Sequence, residues 1–132
     1  MSLGLRDPEV FARDWAAAWN RRDLDAVLAH FTEDVVFSTP QALDAVGRPT
    51  VRGKVALRAY WETALAQITA LHFTVVRTIW DSINRELGIV YDREVNDRRD
   101  RALELLAFTA DGLIASGEAF YGVLPVSPEG RV

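Results

Sequence analysis

The 132-residue chain contains no cysteine and only two histidines, His30 and His72. It can therefore form no disulfide, present no thiol nucleophile and build no thiolate metal site, though that absence alone does not fix the redox compartment. The two histidines lie far apart and neither has a histidine partner at i+2 or i+4, so no metal and no other cofactor is expected. Basic excess is also missing. Fifteen Lys and Arg against nineteen Asp and Glu give a formal net charge of −4 and a pI near 5.1. The arginines are interleaved with acids, which argues against a nucleic-acid partner. No apolar run approaches the length needed to span a bilayer, and residues 1–6 are too short and polar for a signal peptide, so no membrane partner and a cytoplasmic location are expected. Internal repeats, low-complexity segments, glycine-rich phosphate loops and a nucleophile-elbow motif are absent as well.

What remains is an ordinary globular composition, 49% hydrophobic and 26% charged, long enough for one sizeable core and too short for two. The expectation is one domain over residues 1–132 with an ordered core at about 8–122. The tail 124–132, with Pro125, Pro128 and Gly130, is expected to fray.

Periodicity gives the elements. Phe11, Trp15, Ala18 and Trp19 recur at i, i+4, i+7 and i+8 and form one apolar stripe, entered through Asp7-Pro8-Glu9, a cap, a first-turn proline and an acid at the positive end of the helix dipole. A second stripe, Leu24, Val27, Leu28 and Phe31, follows the capping residue Asp23. Asp34 to Ser38 then reads as a strand that Pro40 ends. Residues 41–53 hold Gly47, Pro49 and Gly53 without a clear period and read as a loop of the kind that covers a pocket mouth. A third helix over about 54–68 carries Leu57, Trp61, Ala64, Leu65 and Ile68 on one stripe and should pack beside the first. From residue 71 the period changes to that of strands: 72–80, 85–95, 98–109 and 113–123, separated by turns at 81–84, 96–97 and 111–112. Helices first and strands afterwards indicate an α+β fold with the helices on one face of a curved antiparallel sheet.

Three motifs add a resemblance. W-N-x-x-D-L-D from Trp19, H-F-x-x-D-V-V-F from His30, and E-x-x-x-F-x-x-D-G-x-I from Glu104 to Ile114 resemble the SnoaL-like branch of the NTF2-like superfamily. The likeness covers nearly all of residues 8–122. It implies a cone-shaped curved sheet closed by three N-terminal helices, with a ligand site inside. It does not imply one reaction, because the superfamily includes isomerases, cyclases, dehydratases, epoxide hydrolases and binding proteins.

Which side chains reach that interior depends on strand register. If the 96–97 hairpin closes through two residues, Asp92 sits opposite Arg101 and Glu104 opposite Ile89. If Arg98 joins the loop, Asp92 sits opposite Ala102, Glu104 opposite Val90, and both carboxylates share one face. The second register is preferred. It gathers Gly88, Val90, Ala102, Leu106 and Phe108 inside and leaves Ile89, Tyr91, Leu103, Leu105 and Ala107 outside, an apolar face that calls for a partner, most simply a homodimer.

Glu104 is the leading catalytic candidate. A carboxyl group among leucines and aromatics has its pKa raised by desolvation and can act as general acid or base near neutral pH. Asp92 and His72 are possible assistants, although Asp92 lies among arginines and is equally read as a solvated charge. Trp15, Trp19, Tyr60, Trp61 and Tyr121, with Val90 and Phe108, are candidate walls for a small apolar or polycyclic ligand, and each also fits plain core packing. His30, at the end of the second helix, reads as a partner for free carbonyls. By resemblance to ketosteroid isomerase, Trp15 takes the place of the oxyanion-hole tyrosine, Thr39 that of the aspartate base and Glu104 that of the protonated acid. A threonine cannot take a proton at neutral pH, so steroid isomerisation in that form is not expected. Three readings compete: a cofactor-free isomerase, cyclase or hydrolase; a non-catalytic binding protein for an apolar ligand; and a dimerising interaction module.

Overall fold

Two long-range anchors explain why the chain closes as it does. The computed structural model describes residues 7–125, and in it the first helix, α1 (Pro8–Asn20), is capped by Asp7, whose carboxylate accepts from the amides of Glu9 and Val10. It buries Phe11, Ala12, Trp15, Ala16, Ala18 and Trp19, the stripe expected from the spacing. At its end the Asn20 carboxamide donates to the Phe73 carbonyl at 3.0 Å and accepts from the Phe73 amide at 2.7 Å. Asn20 thus substitutes for a neighbouring strand, satisfying backbone groups that would otherwise be left unpaired. Helix α2 (Leu24–Leu28) follows at once, with Asp23 accepting from the Ala26 amide at 3.0 Å. The W-N-x-x-D motif is therefore a stitch and a cap.

The strands are β1 (Phe31–Ser38), β2 (Thr50–Arg52), β3 (Leu71–Asp81), β4 (Glu86–Val95), β5 (Arg98–Phe108) and β6 (Ile114–Tyr121), in sheet order β2-β1-β6-β5-β4-β3. The last four form the expected antiparallel meander, while β1 joins its edge parallel to β6. Phe31 opens β1 and does not belong to α2. Register shifts between Val75 and Arg77 in β3, and between Phe31 and Val36 in β1, bend the sheet, as bulges do. The tertiary arrangement is the α+β, NTF2-like curved sheet with helices against its concave face. Among the described residues no helix is long and apolar enough to cross a membrane.

Residues 41–53 are not a plain loop. Helix α3 (Pro40–Val46) starts at Thr39, whose hydroxyl accepts from the Gln41 amide, and stops at Gly47 with φ 76°; β2 then pairs with β1. Four helices therefore stand among the described residues where three were expected. The fourth, α4 (Lys54–Ala66), buries Leu57, Tyr60 and Trp61. It lies mainly against β1, β2 and α2, and meets α1 through an edge-to-face contact of Trp19 and Trp61 at 4.9 Å.

The register of the β4–β5 hairpin corrects the preferred reading. Val95 pairs with Arg98, Asp92 with Arg101 and Glu104 with Ile89, so the loop has two residues. Its cause lies in the segment just before β3: Asn96, at φ 57°, accepts through its carboxamide oxygen from the Thr69 and Ala70 amides and the Thr69 hydroxyl, while its own backbone amide donates to the Ala70 carbonyl. Asparagine tolerates that left-handed conformation and is held in it from outside the hairpin. Relative to the expected arrangement β4 is turned over. Leu87, Ile89 and Tyr91 face the core, and Val90 and Asp92 face out with Leu103, Leu105 and Ala107. Of the tail 124–132, residues 126–132 lie outside the described residues; Leu124 and Pro125 belong to no helix or strand.

Candidate functional site

The concave face of the sheet and the helices above it enclose an open cleft of about 1400 Å³. Its inner end is built by alternation along β5, which points Asp100, Ala102, Glu104, Leu106 and Phe108 to the same side. Glu104 is the only acid in the buried core of the described residues, at 4% exposure. Its nearest polar partner is the Tyr91 hydroxyl, which donates to Oε1 at 3.4 Å. That separation is long for an O–H···O bond, so the carboxyl group is touched but not locked. Burial pushes its pKa up to about 8, against smaller opposing effects from the Tyr91 hydrogen bond and the positive charge of Arg93. Charging a carboxylate here means giving up water for one weak bond, so the neutral acid prevails at pH 7.

Aromatic residues flank it. Tyr91, held far above the usual phenol range first by burial and then by the Glu104 charge, meets Trp15 edge to face at 4.9 Å and Phe73 at 4.9 Å. Trp15 stacks on Phe73 at 5.6 Å. The indole nitrogens of Trp15 and Trp19 are buried without a hydrogen-bond partner. Tyr121 lies opposite Ala102 on β6 and shares a 3.4 Å hydrogen bond with the Thr39 hydroxyl. Tyr60, on α4, has its phenol pushed up to about 12 by burial, then by Tyr121 and Asp44.

Arg93 completes the polar part of the cleft. Its Nε donates to Asp100 Oδ1 at 2.8 Å and its Nη2 to Oδ2 at 3.2 Å, and its guanidinium lies 4.3 Å from the centre of the Tyr121 ring. Such a bidentate, ring-backed guanidinium is fixed in direction.

Measured against the expectations, Glu104, Trp15, Trp19, Thr39, Tyr60, Trp61 and Tyr121 all border the cleft. Asp92 does not. With β4 turned over it lies on the outer face, paired with Arg101 Nε at 2.7 Å. Val90 lies on that face too, for the same reason. Phe108 faces inward but is packed between Phe11 at 5.3 Å and Trp80 at 6.1 Å, away from the cleft. His72 pairs across from Glu94 and is exposed on the side opposite Phe73. His30 sits edge-on to Phe11 at 5.1 Å, and its carbonyl receives the Ile114 amide. No cluster of three His, Asp or Glu side chains able to hold a metal occurs among the described residues. Sequence reading missed Arg93, Asp100 and Tyr91, which converge only in the two-residue register.

A family model described as SnoaL-like domain matches residues 12–117. A SnoaL-like protein of unknown function from Burkholderia thailandensis is 32% identical, with a TM-score of 0.79 over 87% of this chain and 93% of that one. An NTF2-like protein from Burkholderia pseudomallei superposes with a TM-score of 0.75 at 19% identity, over 88% and 92% of the two chains. The pinacolase BvnE of Penicillium brevicompactum superposes with a TM-score of 0.70 at 20% identity, over 86% and 84%. No protein of curated function matches. The span of the family match, together with the Burkholderia thailandensis relative, places this chain in the SnoaL-like family.

Proposed function

We propose that the cleft binds a small, mostly apolar carbonyl compound and that Glu104 transfers a proton to it without a cofactor, as an isomerase, cyclase or hydrolase of the SnoaL-like type would. The observation that carries this reading is a carboxyl group at the buried end of an aromatic cleft, neutral at pH 7 and held only by a 3.4 Å contact to Tyr91. A neutral acid at a buried position can protonate a carbonyl or leaving oxygen. The carboxylate that results is stabilised by the Tyr91 hydroxyl and the field of Arg93, the two influences that already oppose its high pKa. The same carboxylate can then take a proton from an adjacent carbon, returning the site to its starting state. Trp15, Trp19, Tyr60, Trp61, Thr39 and Tyr121 are the ligand-facing walls in this proposal.

A second reading, binding without turnover, is favoured by one feature: the other carboxylate bordering the cleft, Asp44, is at the exposed rim, and Thr39 is no base. Glu104→Gln separates the two. In an enzyme it abolishes turnover of a carbonyl or epoxide substrate while the ligand still binds. In a binding protein no substrate of a broad panel is turned over by the unaltered chain.

The outer sheet face supports a homodimer. Val90, Leu103, Leu105 and Ala107 lie there with Ile79 at 56% and Phe120 at 44% exposure, an apolar surface of the sort that marks an interface. Sedimentation at micromolar concentration is expected to give a dimer, and a monomer would end this part of the proposal.

A further inference from the structure

Granting the cleft as the ligand site, we infer that its ligand is an anion: an apolar molecule with one oxyanion, a carboxylate or an acidic enolate, that sits on Arg93 while the body lies against the aromatic wall. The chain as a whole is acidic, with a net charge of −4. The cleft is not. Its charged lining consists of Arg48, Arg52 and Arg93 against Asp44 and Glu104, and Glu104 is the group that burial keeps neutral at pH 7. Arg48 and Arg52 are exposed at the rim, where they draw an anion inward. The Arg93 side chain is only 12% exposed. Asp100 occupies its Nε and Nη2, and Tyr121 backs one face. Nη1 has no partner among the described residues, and it is not among the buried, unpartnered atoms. One edge of an immobilised guanidinium is thus left to donate to an oxyanion of a ligand.

The strand register sets the spacing between Arg93 and Glu104. Arg93 leans over Tyr121, which lies opposite Ala102, and Glu104 is the next inward residue along β5. Inward positions on a strand lie about 7 Å apart, and Arg93 is bonded to Asp100, two such positions from Glu104, so a guanidinium leaning toward Ala102 leaves the span of one or two rings. An oxyanion on Arg93 therefore delivers the far end of a ring to the carboxyl group. Ala102, small and between them, leaves the space.

The test is a titration of tryptophan fluorescence with two matched pairs: 2-naphthoate against 2-naphthamide, and the enolate of 2-hydroxy-1,4-naphthoquinone against 1,4-naphthoquinone. At least one anion is expected to bind tenfold or more tightly than its neutral partner, the scale of one charge-assisted hydrogen bond, and the pair that shows it tells carboxylate from enolate. In R93Q/D100N, which removes both charges at nearly constant shape, the preference should fall to within about threefold. Equal binding of anions and neutral partners to the unaltered protein, or a preference that survives in R93Q/D100N, overturns the inference and leaves the cleft reading standing. If none of the four probes binds, the cleft reading falls and the inference with it. Should the double variant not fold, the unaltered protein decides: a bound anion cancels the field of Arg93 and raises the Glu104 carboxyl pKa further, so an unmoved pKa at saturation with an anion overturns it.

Discussion

Glu104 should make this protein less stable as pH rises, the reverse of the usual effect of a carboxylate. In the unfolded chain its carboxyl ionises near the ordinary value of 4.5, whereas in the fold burial holds it neutral up to about 8. Between these values the native state carries a proton that the unfolded state has lost. Stability linked to this group is therefore fully present below pH 4.5 and declines until pH passes the folded value. Each pH unit in that window removes about 1.4 kcal/mol, so the loss over the whole window is about 5 kcal/mol, a large share of what holds a domain of this size together. Urea unfolding at pH 5, 6, 7 and 8 measures it, with Glu104→Gln as the control that keeps shape and removes the titration. The unaltered protein should lose stability steadily across the series relative to the variant, and the variant should be the more stable at pH 8. Parallel profiles for the two proteins would refute the reasoning, since they would mean a Glu104 that ionises as freely in the fold as outside it.

Other substitutions probe neighbouring parts of the account. Tyr91→Phe removes a hydrogen bond that favours the ionised carboxyl, so the Glu104 pKa should rise further, as read by the same unfolding series. Gly117→Ala should destabilise by about 1–3 kcal/mol, because a Cβ there would lie 2.7 Å from Phe37 Cδ2 and 3.1 Å from Leu106 Cδ2; a neutral result in urea unfolding would mean that the Phe37 ring is free to move. Asn20→Ala leaves the Phe73 amide and carbonyl unpaired and should cost about 1–3 kcal/mol, with faster hydrogen exchange at Phe73. Asp92→Asn, on the outer face, should change stability by less than about 1 kcal/mol and leave ligand binding in the cleft unaltered.

The elements and fold family were legible because their signals are local or travel in short motifs. The α1 stripe, the Asp7 and Asp23 caps and the four long strands need only neighbours within a turn or two. Helix α3 had its signals too: Thr39 as cap, Pro40 at the first helical position and Gly47 at the end. They were outweighed by the glycines and prolines around them. The hairpin register was not legible, because Asn96 is held by Thr69 and Ala70, about 26 residues away, and nothing in the hairpin records that contact. One residue of slip turned β4 over. It moved Tyr91 from the expected outer face to the side of Glu104, moved Asp92 and Val90 out, and brought Arg93 opposite Asp100. Glu104 keeps its β5 neighbours Ala102 and Leu106 on one side in either register, since alternation along its own strand does not depend on the partner.

The measurement that tests the central claim most directly is the titration of the Glu104 carboxyl carbon by NMR, assigned by the signal that Glu104→Gln removes. The account predicts a midpoint near 8, with the neutral acid dominant at pH 7. A midpoint at or below 4.5 would contradict it, and with it both the proton-transfer role and the inverted dependence of stability on pH.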